Sequence, residues 1–169
     1  MGRRNPPGAF SGIKILFMDV DGVLTDGGMY YSEKGEVLKK FNTRDGMGLQ
    51  LAREKGILPV ILTKERSRIV QKRAEKLQLQ EVHVGVEDKL EKAAEVLSRY
   101  NLTFGDAAFI GDDINDIPLL GKVRLSFCPA DAVGDVRKVV THVCTKDGGR
   151  GVVREVVEIL LNSMVPPFQ

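Results

Sequence analysis

The stretch IKILFMDVDGVLTDG, residues 13–27, joins a run of large apolar residues to two carboxylates placed two residues apart. A short apolar run bounded by Gly12 and by acidic residues predicts a β-strand that is buried on both faces, as in a parallel sheet. Asp19 and Asp21 then stand at the carboxyl end of this strand, which is where open α/β sheets bind their ligands. The stretch therefore predicts both the centre of a sheet and a functional edge.

Strand and helix patterns alternate along the rest of the chain. Apolar runs that predict further strands occupy residues 58–62, 82–85, 107–110, 123–127 and 142–144. Helical spacing of apolar residues marks residues 45–55, 66–79, 89–100 and 152–164. Two short apolar segments joined by turn residues predict a β-hairpin over 29–41. This order predicts an α/β fold: a Rossmann-like, mostly parallel sheet with helices on both faces and a β-hairpin insertion.

The composition is that of an ordinary globular protein. With 169 residues, 43% hydrophobic and 28% charged, the chain predicts a single domain over 1–169 with a flexible extension at 1–11. Its 25 basic and 23 acidic residues are interspersed, so no nucleic-acid partner is expected. No apolar run reaches the ~20 residues of a membrane span and no signal-peptide pattern is seen, which predicts a cytoplasmic protein without a membrane partner. Cys128 and Cys144 lack metal-type spacing and are expected in the core.

Polar residues follow three of the predicted strands. Asp19 and Asp21 follow one strand, Thr63 a second and Asp112 a third. Carboxylates gathered at one edge need a cation, and oxygen ligands suit Mg²⁺. With Mg²⁺ bound, one Asp can attack phosphorus while another, two residues on and on the same side of the extended chain, handles the proton of the leaving group. Thr63 and Lys89, the latter at a predicted helix start, offer the donors that phosphoryl oxygens need.

The motifs that carry these residues resemble those of the haloacid dehalogenase superfamily of phosphohydrolases. In chain order they are Asp19-Val20-Asp21-Gly22-Val23-Leu24-Thr25, Thr63, Lys89 and Gly111-Asp112-Asp113-Ile114-Asn115-Asp116. The resemblance implies that Asp19 is the nucleophile, which forms an aspartyl-phosphate, and that Asp21 is the general acid and base. Asp113 and Asp116 would support the metal shell or orient Lys89.

The resemblance also implies how the cofactor and the phosphate are held. Asp112 would bind Mg²⁺ together with Asp19 and the backbone carbonyl of Asp21. Thr63 and Lys89 would bind the phosphoryl group.

Within the superfamily, the chain resembles the small uncapped group that includes 3-deoxy-D-manno-octulosonate 8-phosphate phosphatase. The resemblance rests on FNTRDG at 41–46, on GGRG at 148–151, and on the short interval between the first two motifs, which holds only the hairpin and one helix. It implies no cap domain and a homotetramer in which the neighbouring subunit covers the active site. It also implies that Arg44 contacts the substrate and that the loop carrying Arg150 shapes the pocket. From the residue pattern alone, Arg44 equally suits a surface ion pair.

The implied substrate is a sugar-acid phosphate, with its phosphate at the metal and its carboxylate near basic side chains. Relatives specific for the octulosonate usually carry Thr-Gly-Arg after the second strand, whereas this chain has Thr63-Lys64-Glu65-Arg66. Glu65, Arg73 and Lys76 instead resemble relatives that dephosphorylate 2-keto-3-deoxynononate 9-phosphate and N-acetylneuraminate 9-phosphate. The nine-carbon acids are therefore expected slightly ahead of the eight-carbon acid, in sialic acid or lipopolysaccharide biosynthesis. On a polar helix face, Glu65 and Lys76 also suit plain solvation.

Two other functions compete with this interpretation. A phosphoacceptor receiver domain would show an adjacent acidic pair near its start and a lone acceptor Asp after a later strand, whereas Asp19 and Asp21 flank Val20. A catalytically idle domain of the same fold, used for tetramerisation in sugar-acid activation, is the second alternative. The retention of both aspartates argues against it.

Overall fold

The computed structural model describes residues 10–164, which contain a central sheet of six parallel strands. In chain order the elements are β1 (Ile15–Met18), β2 (Tyr30–Ser32), β3 (Gly35–Leu38), α1 (Thr43–Glu54), β4 (Leu58–Thr63), α2 (Arg68–Lys76), β5 (Glu81–Val84), α3 (Lys89–Arg99), β6 (Ala107–Ile110), α4 (Ile117–Leu120), β7 (Leu125–Cys128), α5 (Gly134–Val139), β8 (His142–Val143) and α6 (Val152–Asn162). All but the last two residues of the flexible extension predicted over 1–11 lie outside the described residues.

The strand order is β5-β4-β1-β6-β7-β8, so β1 lies at the centre with a parallel partner on each side. All four of its residues are fully buried. Leu16 and Met18 face an apolar layer shared with α1, α2 and α6, whereas Ile15 and Phe17 face a second layer shared with α3, α4 and α5. Strand residues alternate between the two faces of a sheet, so an unbroken apolar run is what a strand covered on both faces requires. The predicted α/β fold is confirmed.

The β-hairpin forms a separate two-stranded antiparallel sheet of β2 and β3. In the described part of the chain, nothing larger than this hairpin and α1 is inserted between β1 and β4, so no cap domain is present. The hairpin and its flank expose five large apolar side chains: Met29, Tyr30, Tyr31, Val37 and Leu38.

Several elements differ from the expectation; α2, for example, spans Arg68–Lys76 rather than 66–79, and β7 begins at Leu125 rather than at 123. The short helices α4 and α5 were not predicted, because four or six residues give no helical periodicity to detect. Helix α1 begins at Thr43 rather than at 45, because the side chain of Asn42 accepts a hydrogen bond from the backbone N–H of Arg44 at 2.9 Å and caps the helix. The last helix ends at Asn162, two residues earlier than expected.

The two cysteines are free and buried on opposite faces of the sheet. No disulfide joins Cys128 and Cys144, whose side chains pack in different core clusters. Burial raises the pKa of the Cys128 thiol to about 11 and also raises the pKa of Cys144. Both remain protonated and act as small apolar residues.

None of the helices within residues 10–164 combines the length and the apolar character that a membrane span requires.

The loop before α6 packs against the segment that follows β1. The backbone N–H of Gly149 donates to the carbonyl of Val23 at 2.8 Å, and that of Gly148 donates to Asp131 Oδ1 at 2.9 Å. A Cβ atom placed on Gly148 would lie 2.0 Å from the carbonyl oxygen of Gly22. The two loops thus meet backbone to backbone, and a side chain at Gly148 would push them apart.

Replacing Gly148 with Ala is expected to lower the free energy of unfolding by about 1–3 kcal/mol. The added methyl group would overlap backbone atoms, which cannot move aside as a flexible side chain can. Gly134→Ala is the matched control. No atom lies within 4 Å of a Cβ at Gly134, which stands at the start of α5, so alanine there should leave stability unchanged or slightly raised. Urea denaturation of both variants tests this, and equal stabilities would contradict it.

Candidate active site

The candidate site lies at the carboxyl ends of three adjacent strands, β4, β1 and β6. Asp19 follows β1 directly, and its backbone N–H donates to the carbonyl of Ile110 at the end of β6 at 3.0 Å. Thr63 is the last residue of β4 and is buried, with its carbonyl accepting from the N–H of Val86 at 3.0 Å. The sheet topology therefore brings these segments to one edge, as parallel strands dictate.

Lys89 supplies a buried positive charge at this edge. It is the first residue of α3, whose N-cap Asp88 accepts from the N–H of Glu91 at 2.9 Å. The Lys89 Nζ lies 2.7 Å from Asp19 Oδ2 and 2.5 Å from Asp116 Oδ1. Burial alone would lower the pKa of Lys89, but the carboxylates of Asp19 and Asp116 reverse the effect and raise it. The ammonium group therefore stays charged.

Asp116 organises the loop that follows β6. Its side chain is fully buried, and its Oδ2 accepts from the backbone N–H of Asp112 at 3.0 Å while its Oδ1 contacts Lys89. A Cβ at Gly111 would lie 2.6 Å from Asp116 Oδ2, so only glycine permits this approach. Asp113 is exposed and accepts from the N–H of Ile114 at 2.7 Å. Of these two acids, Asp116 is the one that contacts Lys89.

The carboxylates of Asp19, Asp112 and Asp116 form a cluster whose ligand atoms lie within 4.8 Å of one another. Asp112 Oδ1 is buried without a hydrogen-bond partner among the described residues. Burial and the neighbouring carboxylates, led by Asp19, raise the pKa of Asp112 to about 8. Burial also raises the pKa of Asp19 to about 6, against the opposing effect of Lys89. Three acids facing one ammonium group leave an excess of negative charge that a divalent cation would neutralise, so the residues fit Mg²⁺.

Glycine also shapes the wall beside the proposed metal ligand. A Cβ on Gly22 would lie 2.0 Å from Asp112 Oδ2, and the backbone there has a positive φ of 80°. The loop after β1 can therefore approach the Asp112 carboxylate only because residue 22 has no side chain.

Asp21 forms its ion pair with a different lysine from the one that pairs with Asp19. Its Oδ1 accepts from Lys39 Nζ at 2.7 Å and from Thr25 Oγ1 at 3.3 Å. Lys39 is not among the residues that the sequence predicts for the site. Two adjacent lysines at the end of an exposed hairpin strand predict solvation, and no local signal marks one of them as buried.

The residues expected to bind the sugar part are spread over four places. Arg44 and Arg150 line one cavity of about 530 Å³, with Lys146 and Arg154 among its further basic residues. Arg73 lies over the ring of Phe41, 5.6 Å from its centroid. Two acids, Glu155 and Glu158, also line the cavity of Arg44 and Arg150, so basic groups are only in excess there, and none of the predicted catalytic residues lines it.

Glu65 and Lys76 are not brought together within one chain. Glu65 is exposed in the turn after β4, and its carbonyl accepts from the N–H of Gly85 at 3.3 Å. Lys76 ends α2 and lines a separate cavity of about 520 Å³ beside Arg53. Helix α2 is nine residues long and starts near the carboxyl end of β4, so its last residue lies about 13 Å further along the axis.

Comparison with known proteins agrees with this geometry. A family model described as haloacid dehalogenase-like hydrolase matches residues 79–156. The 3-deoxy-D-manno-octulosonate 8-phosphate phosphatase KdsC of Escherichia coli K12 is 38% identical over 149 residues, covering 88% of this chain and 79% of the relative.

Solved structures give the same result. The octulosonate 8-phosphate phosphatase of Yersinia pestis matches with a TM-score of 0.89 and 36% identity, over 92% of this chain and 84% of that one. The enzyme of Moraxella catarrhalis, solved with a magnesium ion, a phosphate ion and a KDO molecule, matches with a TM-score of 0.88 and 33% identity, over 92% and 89% of the two chains. With this fold, this constellation of aspartates and these relatives, the chain belongs to the haloacid dehalogenase-like hydrolases, as a phosphoric monoester hydrolase without a cap domain.

Proposed function

We propose that this chain is a Mg²⁺-dependent phosphatase that removes the terminal phosphate of a 2-keto-3-deoxy sugar acid. The observation that carries the proposal is the buried Lys89, held between Asp19 and Asp116 beside Asp112. A cationic donor next to a nucleophilic carboxylate and an acidic metal cluster is what phosphoryl transfer requires.

The proposed reaction has two steps. A carboxylate oxygen of Asp19 bonds to phosphorus while the ester P–O bond breaks, and the proton of Asp21 passes to the leaving oxygen. Water then attacks the phosphorus of the aspartyl-phosphate and gives a proton to Asp21, and the bond to Asp19 breaks to release phosphate. Lys89 and Thr63 would hold the phosphoryl oxygens through both steps.

Asp19, Asp112 and the backbone carbonyl of Asp21 would hold the metal. When bound, Mg²⁺ supplies positive charge that neutralises the acidic cluster and stabilises the transferring phosphoryl group.

For the substrate, we place 3-deoxy-D-manno-octulosonate 8-phosphate first, which reverses the order expected from sequence. The support is the activity after which the relatives that match most of the chain are named. The nine-carbon 9-phosphates stay second. Their support is that Thr63-Lys64-Glu65-Arg66 stands after β4, where relatives specific for the octulosonate usually carry Thr-Gly-Arg. The basic cavity of Arg44 and Arg150 supports an acidic sugar in either case.

The idle tetramerisation domain is not favoured, because the nucleophile, the cationic donor and the metal cluster are all in contact. The expected homotetramer is a proposal supported by the five exposed apolar side chains of the hairpin and its flank, which a second copy of the chain would remove from water.

Asp19→Asn is expected to reduce phosphate release by about 10⁴-fold or more while the protein stays folded, because the amide keeps the shape but removes the nucleophile. Asp135→Asn, in an exposed ion pair with Lys138 on α5, is the control and should retain full activity. Phosphate release with Mg²⁺, together with circular dichroism, gives both readouts. Turnover retained in Asp19→Asn would refute the assignment of the nucleophile.

Stabilisation by Mg²⁺ is expected to grow with pH. The pKa of Asp112 is raised from 3.8 to about 8 without metal, so this group adds to stability at low pH and its contribution is lost as the pH rises toward 8. Mg²⁺ needs the ionised carboxylate, so the rise in Tm that it causes should be larger at about pH 8.5 than at about pH 6. Differential scanning calorimetry on the wild type and on Asp112→Asn measures this. An equal shift at both pH values, or an undiminished shift in the variant, would contradict the site.

The side chains of Glu65 and Lys76 are expected to set substrate preference. Glu65→Gln and Lys76→Met should change the ratio of kcat/KM between the octulosonate and the two nine-carbon substrates by about 10-fold, with little change in the chemistry. Lys72 and Glu75, an exposed ion pair of 2.7 Å on the same helix, provide matched controls as Lys72→Met and Glu75→Gln. Equal losses on all three substrates would reject the discriminating role.

A further inference from the structure

We infer that Lys39 is a positioning residue for Asp21, fixing one oxygen of its carboxylate so that the other is presented for proton transfer. The inference rests on the proposed phosphatase function and adds a residue from the hairpin to it.

Lys39 is a buried cation in an otherwise exposed part of the molecule. Its side chain is fully buried, although Val37 and Leu38 before it are exposed. The Nζ lies 2.7 Å from Asp21 Oδ1 and 2.7 Å from Glu36 Oε1. A lysine that loses all contact with water must be compensated by partners, and these two carboxylates are its partners.

The two oxygens of Asp21 have different surroundings. Oδ1 accepts from both Lys39 and Thr25. Oδ2 is buried and has no hydrogen-bond partner within residues 10–164. An oxygen that already accepts from an ammonium group is a poor place for a proton, so a protonated Asp21 would carry its proton on Oδ2. Lys39 thereby decides which oxygen serves as the acid.

Lys39 is itself held in place from the other side. Glu36 bonds to the hydroxyl of Ser67, and Ser67 is the N-cap of α2, with its Oγ accepting from the N–H of Val70 at 3.4 Å. The contacts run from the loop after β1 through the hairpin to the helix that follows β4. Because both ends are anchored in the sheet framework, Asp21 cannot rotate without breaking a buried ion pair.

The next residue offers a natural comparison. Lys40 pairs with Asp26 at 3.0 Å, but its side chain is 47% exposed. Lys40→Met therefore removes the same charge, one residue away, from an ion pair that water can replace. It should leave activity unchanged.

The test compares two esters that differ in their need for an acid. A sugar-acid phosphate leaves as an alkoxide and requires the proton of Asp21, whereas p-nitrophenyl phosphate leaves as a stable phenolate. The parameter kcat/KM covers the steps up to transfer of the phosphoryl group to Asp19. For Lys39→Met we expect a loss of about 10- to 100-fold with octulosonate 8-phosphate and a loss below about 3-fold with p-nitrophenyl phosphate.

A double-mutant cycle gives the second readout. If Lys39 acts through Asp21, adding Lys39→Met to Asp21→Asn should cause no further loss with octulosonate 8-phosphate, the ester on which Lys39→Met alone has a large effect. Equal losses on both esters, or additive losses in the cycle, would show a merely structural role and overturn the inference. If Lys39→Met does not fold, Lys39→Arg keeps the cation and should show a smaller loss with the same bias toward the alkyl ester; an unbiased loss overturns the inference. If the wild-type protein hydrolyses neither ester, both the proposed function and the role of Lys39 are overturned. If the wild type is active but Lys39→Met loses equally on both esters, only the role of Lys39 is overturned.

Discussion

The candidate site is built around several carboxylates that lie close together at the carboxyl end of a buried sheet. Asp19, Asp112 and Asp116 are close enough to share one ligand, and Lys89 alone does not balance them. In a medium of low dielectric constant, such an excess is tolerated only by proton uptake or by a bound cation. The raised pKa values of Asp19 and Asp112 represent the first solution, and a bound Mg²⁺ would provide the second.

Glycine residues allow the surrounding backbone to pack closely against this cluster. Gly22 lets the loop after β1 approach Asp112, Gly111 lets the loop after β6 approach Asp116, and Gly148 lets a third loop contact the first. Each glycine removes atoms where a methyl group would overlap a carboxylate or a carbonyl. The close packing of the loops around the cluster therefore depends on glycine at these three positions.

The parts of the structure that sequence could predict are those set by local patterns. The buried runs that became β1, β4 and β6 place Asp19, Thr63 and Asp112 at one edge, because parallel topology requires it. Lys39 could not be predicted, since its burial depends on Glu36 and on distant Ser67 rather than on its neighbours. The separation of Glu65 from Lys76 could not be predicted either, because it depends on the direction in which α2 leaves the end of β4.

The two aspartates of the first motif illustrate how one short segment can serve the two proposed roles. Asp19 pairs with the buried Lys89 of α3, while Asp21 pairs with the buried Lys39 of the hairpin. In the proposed mechanism the nucleophile must stay ionised beside the phosphate, and the proton carrier must keep one oxygen free of hydrogen-bond partners, as Asp21 Oδ2 is among the described residues. Separate cationic partners hold the two carboxylates, although only Val20 lies between them. In this proposal the hairpin, which supplies the second lysine, is a working part of the active site.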